Sequence, residues 1–392
     1  MLVVAGLAFI ASTYGLVRLA YGLFLPDVQA DLGLGDRAAG YVSSGASLAY
    51  CAGAIVGLVA DRRPRTVLVA AALTGVVGAT GMALAPGTGA FAAAAVLASS
   101  SAGLASPALV AIVDRRVAVD RRARAQAVVN SGTGPGLVAA GLLAVVLLPD
   151  WRAGFAAGAA ATLLCGVLVL LLARGGSSGP ATPETPDAHG YGAGRAATYQ
   201  LLVPALGALG LGAASAAAWT YGRAHLAAQG LGETTTTVAW IGIGVGGTAT
   251  VLTARRLASR SPRVGWAVTV ATVAGALVLL GTAGRTPVLA VLACALFGWG
   301  FVAATSALIA WAAELRPQAP AAVTAGFFVL LVLGQALGSA LAGEVTARSG
   351  SGAAFLLAGV VALAACAASV PRRPEGEGSA TRSAGVRPTT PW

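Results

Sequence analysis

The chain has 392 residues, of which 57% are hydrophobic and 10% charged, against roughly half apolar and a quarter charged in an average soluble domain. That composition excludes a soluble globular fold, whose interior could not hold so many apolar side chains. The net charge of +11 would suit a nucleic-acid binder, but the placement of the charges along the chain decides against one.

The elements are apolar stretches of roughly 20 residues, the length needed to cross about 30 Å of hydrocarbon. The first, Leu2–Leu25, has no basic flank and no small-residue cleavage site after a short apolar core, so it reads as a retained span and not a signal peptide. It carries Arg18 with Tyr14 and Tyr21 at spacings of four and three, which puts two phenols and a guanidinium on one helix face. Five further spans follow at Ala38–Ala60, Thr66–Ala85, Ala90–Val113, Ala125–Leu148 and Ala153–Ala173. Residues 174–198 are rich in Gly, Pro, Ser and Thr and read as a flexible cytoplasmic linker. Six more spans lie at Tyr199–Ala224, Thr236–Ala254, Trp266–Thr282, Val288–Ala313, Ala321–Val345 and Ala353–Val370, before a tail over 372–392 of disordered composition. The expected architecture is an all-α membrane protein of twelve transmembrane helices. Two six-helix bundles, 1–173 and 199–371, are joined by the linker.

Every basic side chain is an arginine. Nineteen fall on one side of the expected membrane: Arg62, Arg63, Arg65, Arg115, Arg116, Arg121, Arg122, Arg124, Arg174, Arg195, Arg255, Arg256, Arg260, Arg263, Arg316 and four in the tail. Five fall on the other (Arg37, Arg152, Arg223, Arg285, Arg348), and Arg18 lies within a span. This asymmetry places linker and both termini in the cytoplasm and removes the case for nucleic acid. Cys51, Cys165, Cys294 and Cys366 each sit in a different span without a C-x-x-C pair, and His189 and His225, the latter expected just past the seventh span, are isolated. No metal site and no cofactor is expected.

The two halves carry a faint repeat: 56–65 (VGLVADRRPR) aligns with 254–263 (ARRLASRSPR), and 108–111, leading to Asp114, aligns with 307–310, leading to Glu314, at nearly equal offsets. Paired six-helix repeats around a midplane cavity are a transporter architecture.

With these features the chain resembles the major facilitator superfamily. The stretch Gly57–Arg65 (GLVADRRPR) is similar to that family's G-x-x-x-D-R-x-G-R loop between helices two and three, with Pro64 where the family has Gly. The resemblance implies a gating role for Gly57, Asp61, Arg62 and Arg65, with Asp61 meeting the positive N-terminal end of helix eleven. The arginines are open to pairing with acids such as Asp114, and Glu314 is its counterpart in the second half. In the fifth span Gly132–Gly136 (GTGPG) with Gly141 resembles the family's G-P-x-x-G-G element, and Gly134 and Pro135 are expected to form a helix hinge. Ser99–Gly103 has Ser where drug-exporting branches carry an Arg, which argues against a typical proton-driven drug exporter.

An ionisable group inside a span is expensive and marks a functional candidate. Arg18 with Tyr14 and Tyr21 is therefore the expected substrate stripe, the alternative being that Arg18 snorkels to the head groups beyond Leu25. Asn130, Trp219, Tyr221, Trp299 and Gln335 are further substrate-binding candidates. No Asp or Glu occupies the middle of a span, which leaves uniport, anion exchange and a coupling ion all open. The expected function is secondary active transport of a small organic solute, with a bias toward an anion, by a monomer in the bilayer of a bacterial cytoplasmic membrane. The competing readings are a non-transporting sensor and a membrane-embedded enzyme; no paired carboxylates, Ser/His pair or metal ligands speak for the latter.

Overall fold

The computed structural model describes residues 1–60, 63–173 and 195–367, which form helices and, among those residues, no strand. Eleven helices are long and apolar enough to cross a membrane: α1 (Leu2–Leu32), α2 (Asp36–Val59), α3 (Pro64–Ala83), α4 (Thr88–Arg116), α5 (Val119–Leu147), α6 (Trp151–Leu172), α7 (Gln200–Ala228), α8 (Glu233–Ala258), α9 (Pro262–Ala283), α10 (Pro287–Leu315) and α11 (Pro320–Ser349). A shorter apolar helix, α12 (Ser351–Ala367), completes twelve. Residues 174–194 of the expected linker, with His189, the tail, and the loop residues Asp61 and Arg62 lie outside the described residues, while residues 195–198, expected to close the linker, are helical and lead into α7.

Helix ends follow local chemistry. Pro64, Pro262, Pro287 and Pro320 each open a helix, where the missing N–H has no intrahelical partner to lose. Pro64, in place of the family's Gly, thus becomes the start of α3. Asp150 caps α6 by accepting from the Ala153 N–H at 3.0 Å. Gly33, at φ 66°, closes α1 in the left-handed region.

Two helices depart from regular geometry. Residues Ala11–Leu19 of α1 are π-helical, and the carbonyls at the entry to that stretch are bonded by side chains: Ser12 and Thr13 both donate to the Phe9 oxygen at 2.9 Å. Helix α5 breaks into Val119–Asn130 and Thr133–Leu147. Pro135 sits in the first turn after the break, where it removes no bond from an established helix.

Helices α1 to α6 pack on one another, as do α7 to α12, and the two groups meet along α1–α7, α2–α11 and α5–α8. Close approach is set by small residues, as membrane packing requires. A Cβ on Gly22 would overlap the Trp219 carbonyl oxygen, and one on Gly15 would overlap the Gly136 backbone. Successive connections alternate between two ends of the bundle. We call the end holding Met1 and the α2–α3 connection the near end, and the end holding the α1–α2 and α7–α8 connections the far end.

Candidate functional site

A narrow cleft of about 40 Å³ lies between the groups, with walls from α1, α2, α7 and α11. Its polar lining is Arg18, Tyr21, Ser43, Ser47, Trp219, Thr220, Gln335 and Ser339. The π-helical stretch of α1 presents Tyr14 and Arg18, with Tyr21 a turn beyond, and the three share a face turned toward α2 and α4. The Tyr14 hydroxyl bonds the hydroxyls of Tyr50 at 2.8 Å and Ser106 at 3.0 Å. Tyr21 donates to the Ala39 carbonyl at 2.8 Å and stacks on Phe91.

Arg18 does not snorkel. Its Nε donates to Ser99 Oγ at 3.2 Å, a terminal nitrogen donates to Gln335 Oε1 at 3.1 Å, and the guanidinium lies 4.7 Å from the centroid of the Tyr50 ring. These partners are neutral, and no carboxylate lies within ion-pair distance of Arg18 among the described residues. The Gln335 bond crosses from one helix group to the other.

Opposite Arg18, the Trp219 indole packs edge-on against Phe297 at 5.2 Å, Phe301 at 5.4 Å and Trp240 at 6.4 Å, and its Nε1 has no hydrogen-bond partner. The cleft floor, toward the far end, is a hydroxyl cluster joining three helices: Ser43 Oγ lies 2.8 Å from Thr220 Oγ1 and 3.0 Å from Ser339 Oγ. Sequence reasoning does not single out Ser43, Ser47, Thr220 or Ser339, because a hydroxyl inside a span is common packing and no charge flags them.

Four expected contacts do not line the cleft: Tyr14, held by Tyr50 and Ser106, and Tyr221, Trp299 and Asn130. Tyr221 is buried and donates to the Asp36 carbonyl at 2.7 Å, at the far end. Trp299 donates to Thr253 Oγ1 at 2.9 Å, between α10 and α8. Asn130 is exposed at the α5 break, one turn before Gly134, which packs on Thr248 of α8.

Below the cleft floor the halves are tied by charge. Arg223, 3% exposed, pairs with Asp27 and also donates to the Leu23 carbonyl at 2.8 Å and Thr236 Oγ1 at 3.3 Å. Sequence reasoning sets Arg223 on the outer surface; instead it is buried between α1 and α7. Nearby Glu344 accepts from Tyr41 at 2.8 Å and pairs with Arg37 at 2.7 Å and Arg348 at 3.1 Å. His225, expected past its helix, lies within it, bonded to Ser351 Oγ at 2.7 Å and the Leu280 carbonyl at 3.0 Å and stacked on Phe355. A buried imidazole needs both ring nitrogens satisfied, and Ser351 of α12 and Leu280 of α9 supply the partners.

The bonds that join the halves through Arg18, Arg37, Tyr41, Ser43, Tyr221 and Arg223 all lie on the far-end side of Cys51 and Val329. At that level the Cys51 thiol points at the Val329 carbonyl. Toward the near end, Ile55, Val56 and Val59 of α2 are 51%, 55% and 80% exposed, and Ala321, Ala322 and Gly326 of α11 are exposed too. Of the near-end candidates, Gly57 packs against Pro107 and Glu314 is exposed. Arg65 does not take Asp114 as its partner. Arg65 and Arg116 both donate to the Ala173 carbonyl at the end of α6, where unpaired carbonyls and the negative end of the helix dipole attract cations. Asp114 accepts from Gln126 at 2.7 Å.

A family model described as Major Facilitator Superfamily matches residues 7–332. No curated protein sequence gives a significant match. Among solved structures, a mutant of the nucleoside transporter NupG superposes with a TM-score of 0.74 at 14% identity, covering 94% of this chain and 99% of that one. The xylose transporter XylE from E. coli in an inward open conformation gives 0.70 at 15% identity, covering 93% and 94%. A POT family transporter in complex with 5-aminolevulinic acid gives 0.72 at 14% identity, covering 93% of each chain.

Proposed function

The chain belongs to the major facilitator superfamily and is a multi-pass membrane transporter, not an enzyme; we propose that it carries a small organic solute, preferentially an anion, across a bacterial cytoplasmic membrane. The cleft between the halves is the substrate site, and transport proceeds by alternating access as 1–173 and 199–371 rock about it. The observation that carries this reading is Arg18: a permanently charged guanidinium in a polar cleft at the junction of the halves, whose partners among the described residues are all neutral. Such a cation in a low-dielectric setting calls for a counter-charge, and a bound anion supplies it. Trp219 provides an apolar wall and a free N–H for the rest of the solute.

The near end is the cytoplasmic end in this reading, because the arginine excess lies there. Asp61, Arg62 and Arg65, with Asp114 and Glu314, then act when the near end closes, and the α5 break at Gly134 and Pro135 is the hinge.

Uptake into proteoliposomes together with a thermal-shift screen of small acids on purified protein tests the proposal, since a ligand bound only by the folded state raises its melting point. Loss of the response to acids alone in Arg18→Gln is the expected result. Responses to acids unchanged in that variant would remove the anion preference.

A further inference from the structure

Arg18 is not empty-handed in this state: the edge of its guanidinium facing the second half is occupied by the Gln335 amide oxygen at 3.1 Å. Gln335 is 6% exposed, and its position is fixed by backbone contact, because Gly334 and Gly338 on either side of it lie directly against Leu209 and Ala213 of α7. An amide oxygen held rigidly against a guanidinium reproduces one of the two hydrogen bonds that a carboxylate makes with it. It lacks the charge and the second oxygen, so a carboxylate in the cleft outcompetes it.

We propose that Gln335 is a built-in stand-in for the carboxylate of the substrate: it takes the edge of Arg18 that an incoming carboxylate takes, and the Arg18–Gln335 bond bridges the halves until substrate displaces it. The inference rests on the reading of Arg18 as the anion site. It assigns Gln335 two effects, holding α1 to α11 in the absence of substrate and setting the threshold that a carboxylate must exceed. The ligand class is a carboxylate whose head meets Arg18 and whose remainder lies against Trp219.

The native thiol of Cys51 reports on the bridge without any ligand. It is 5% exposed and faces the Val329 carbonyl across the α2–α11 seam, so alkylation requires the seam to open. In full-length protein with Cys165, Cys294 and Cys366 replaced by alanine, the rate of Cys51 alkylation by N-ethylmaleimide is measured for the parent, Gln335→Ala and Gln335→Glu. Removing a hydrogen bond to a charged group shifts an equilibrium by about tenfold, so Gln335→Ala should alkylate about tenfold faster. Gln335→Glu, which turns the bridge into an ion pair, should alkylate no faster than the parent. Equal rates in the parent and Gln335→Ala, or equal acceleration in both variants, overturn the stand-in, the second because it marks Gln335 as packing only.

The anion reading is judged separately, with benzoate, lactate and their amides as probes in the same assay. Acceleration of Cys51 alkylation by a carboxylate but not its amide, at a lower half-saturating concentration in Gln335→Ala and absent in Arg18→Gln, supports both proposals. A carboxylate effect that persists in Arg18→Gln sinks the anion reading, whatever the ligand-free rates show. A carboxylate effect lost in Arg18→Gln but with an unchanged half-saturation in Gln335→Ala leaves the anion site standing and removes the stand-in.

Discussion

The far and near ends of the bundle use the same few residue types to opposite purpose. At the far end Arg223 and Arg37 pair with Asp27 and Glu344 of the opposite half and draw the halves together, while Arg348 joins Glu344 within α11. At the near end Arg65 and Arg116 both donate to the Ala173 carbonyl at the C-terminal end of α6, an acceptor in their own half. An arginine facing a carboxylate of the other half ties the two halves together, whereas one facing a helix C-terminus of its own half ties that half to itself. At the far end, backbones of the two halves touch at Gly22 and Trp219, and the buried Arg223–Asp27 tie acts over a short, desolvated distance.

The sharpest way to break this contrast is Arg223→Ala, which strands Asp27 in the far-end seam. Losing one partner of a buried pair costs about 3–5 kcal/mol, so thermal unfolding should fall sharply. Replacing both partners by apolar residues of similar size should recover most of the loss. Next comes Gly22→Leu, whose side chain has no room beside the Trp219 carbonyl. We expect about 1–3 kcal/mol of overpacking cost and a far end held ajar, read as faster labelling of a cysteine placed at Ser43. A smaller effect is expected at the near end from Asp61→Asn: insertion and melting unchanged, transport slowed or one conformation favoured. Unchanged rates and unchanged near-end cysteine accessibility would end its gating role. Glu344→Gln, in an exposed cluster, should leave the melting point within error and alter only the salt dependence of far-end opening. Reporter fusions at Trp392 and near His189 fix which end is which; a periplasmic signal from both would invert the whole assignment.

The sequence made the helices legible because a span is a composition, and composition survives without any knowledge of contacts. Arg18 was legible for the same reason: one charge in an apolar run stands out. Its orientation was not, since Ser99 and Gln335 lie 81 and 317 residues away and only the packed bundle brings them to it. The Asp27–Arg223 pair was hidden because each residue, read alone, sits near a helix end where a charge needs no explanation. Tyr221 and Trp299 were indistinguishable from Trp219 by residue type and depth; which way each faces is decided by helix rotation. The π-helical turn geometry of α1 left no trace that spacing alone could read, although Ser12 and Thr13 are the hydroxyls that support it.

That segment has a consequence for how this helix tolerates change in length. A π-turn is an α-turn holding one residue too many, so deleting one residue between Ala11 and Leu19 gives α1 a route back to regular α-helix, with Phe9 and Tyr21 still on their present faces. In any of the regular helices the same deletion would swing everything beyond it by roughly a quarter turn and bury the wrong side. The first helix is therefore the one place in the bundle where a single-codon loss is absorbed as a change of helix type, with Arg18 carried to a new angle while its neighbours stay where they are.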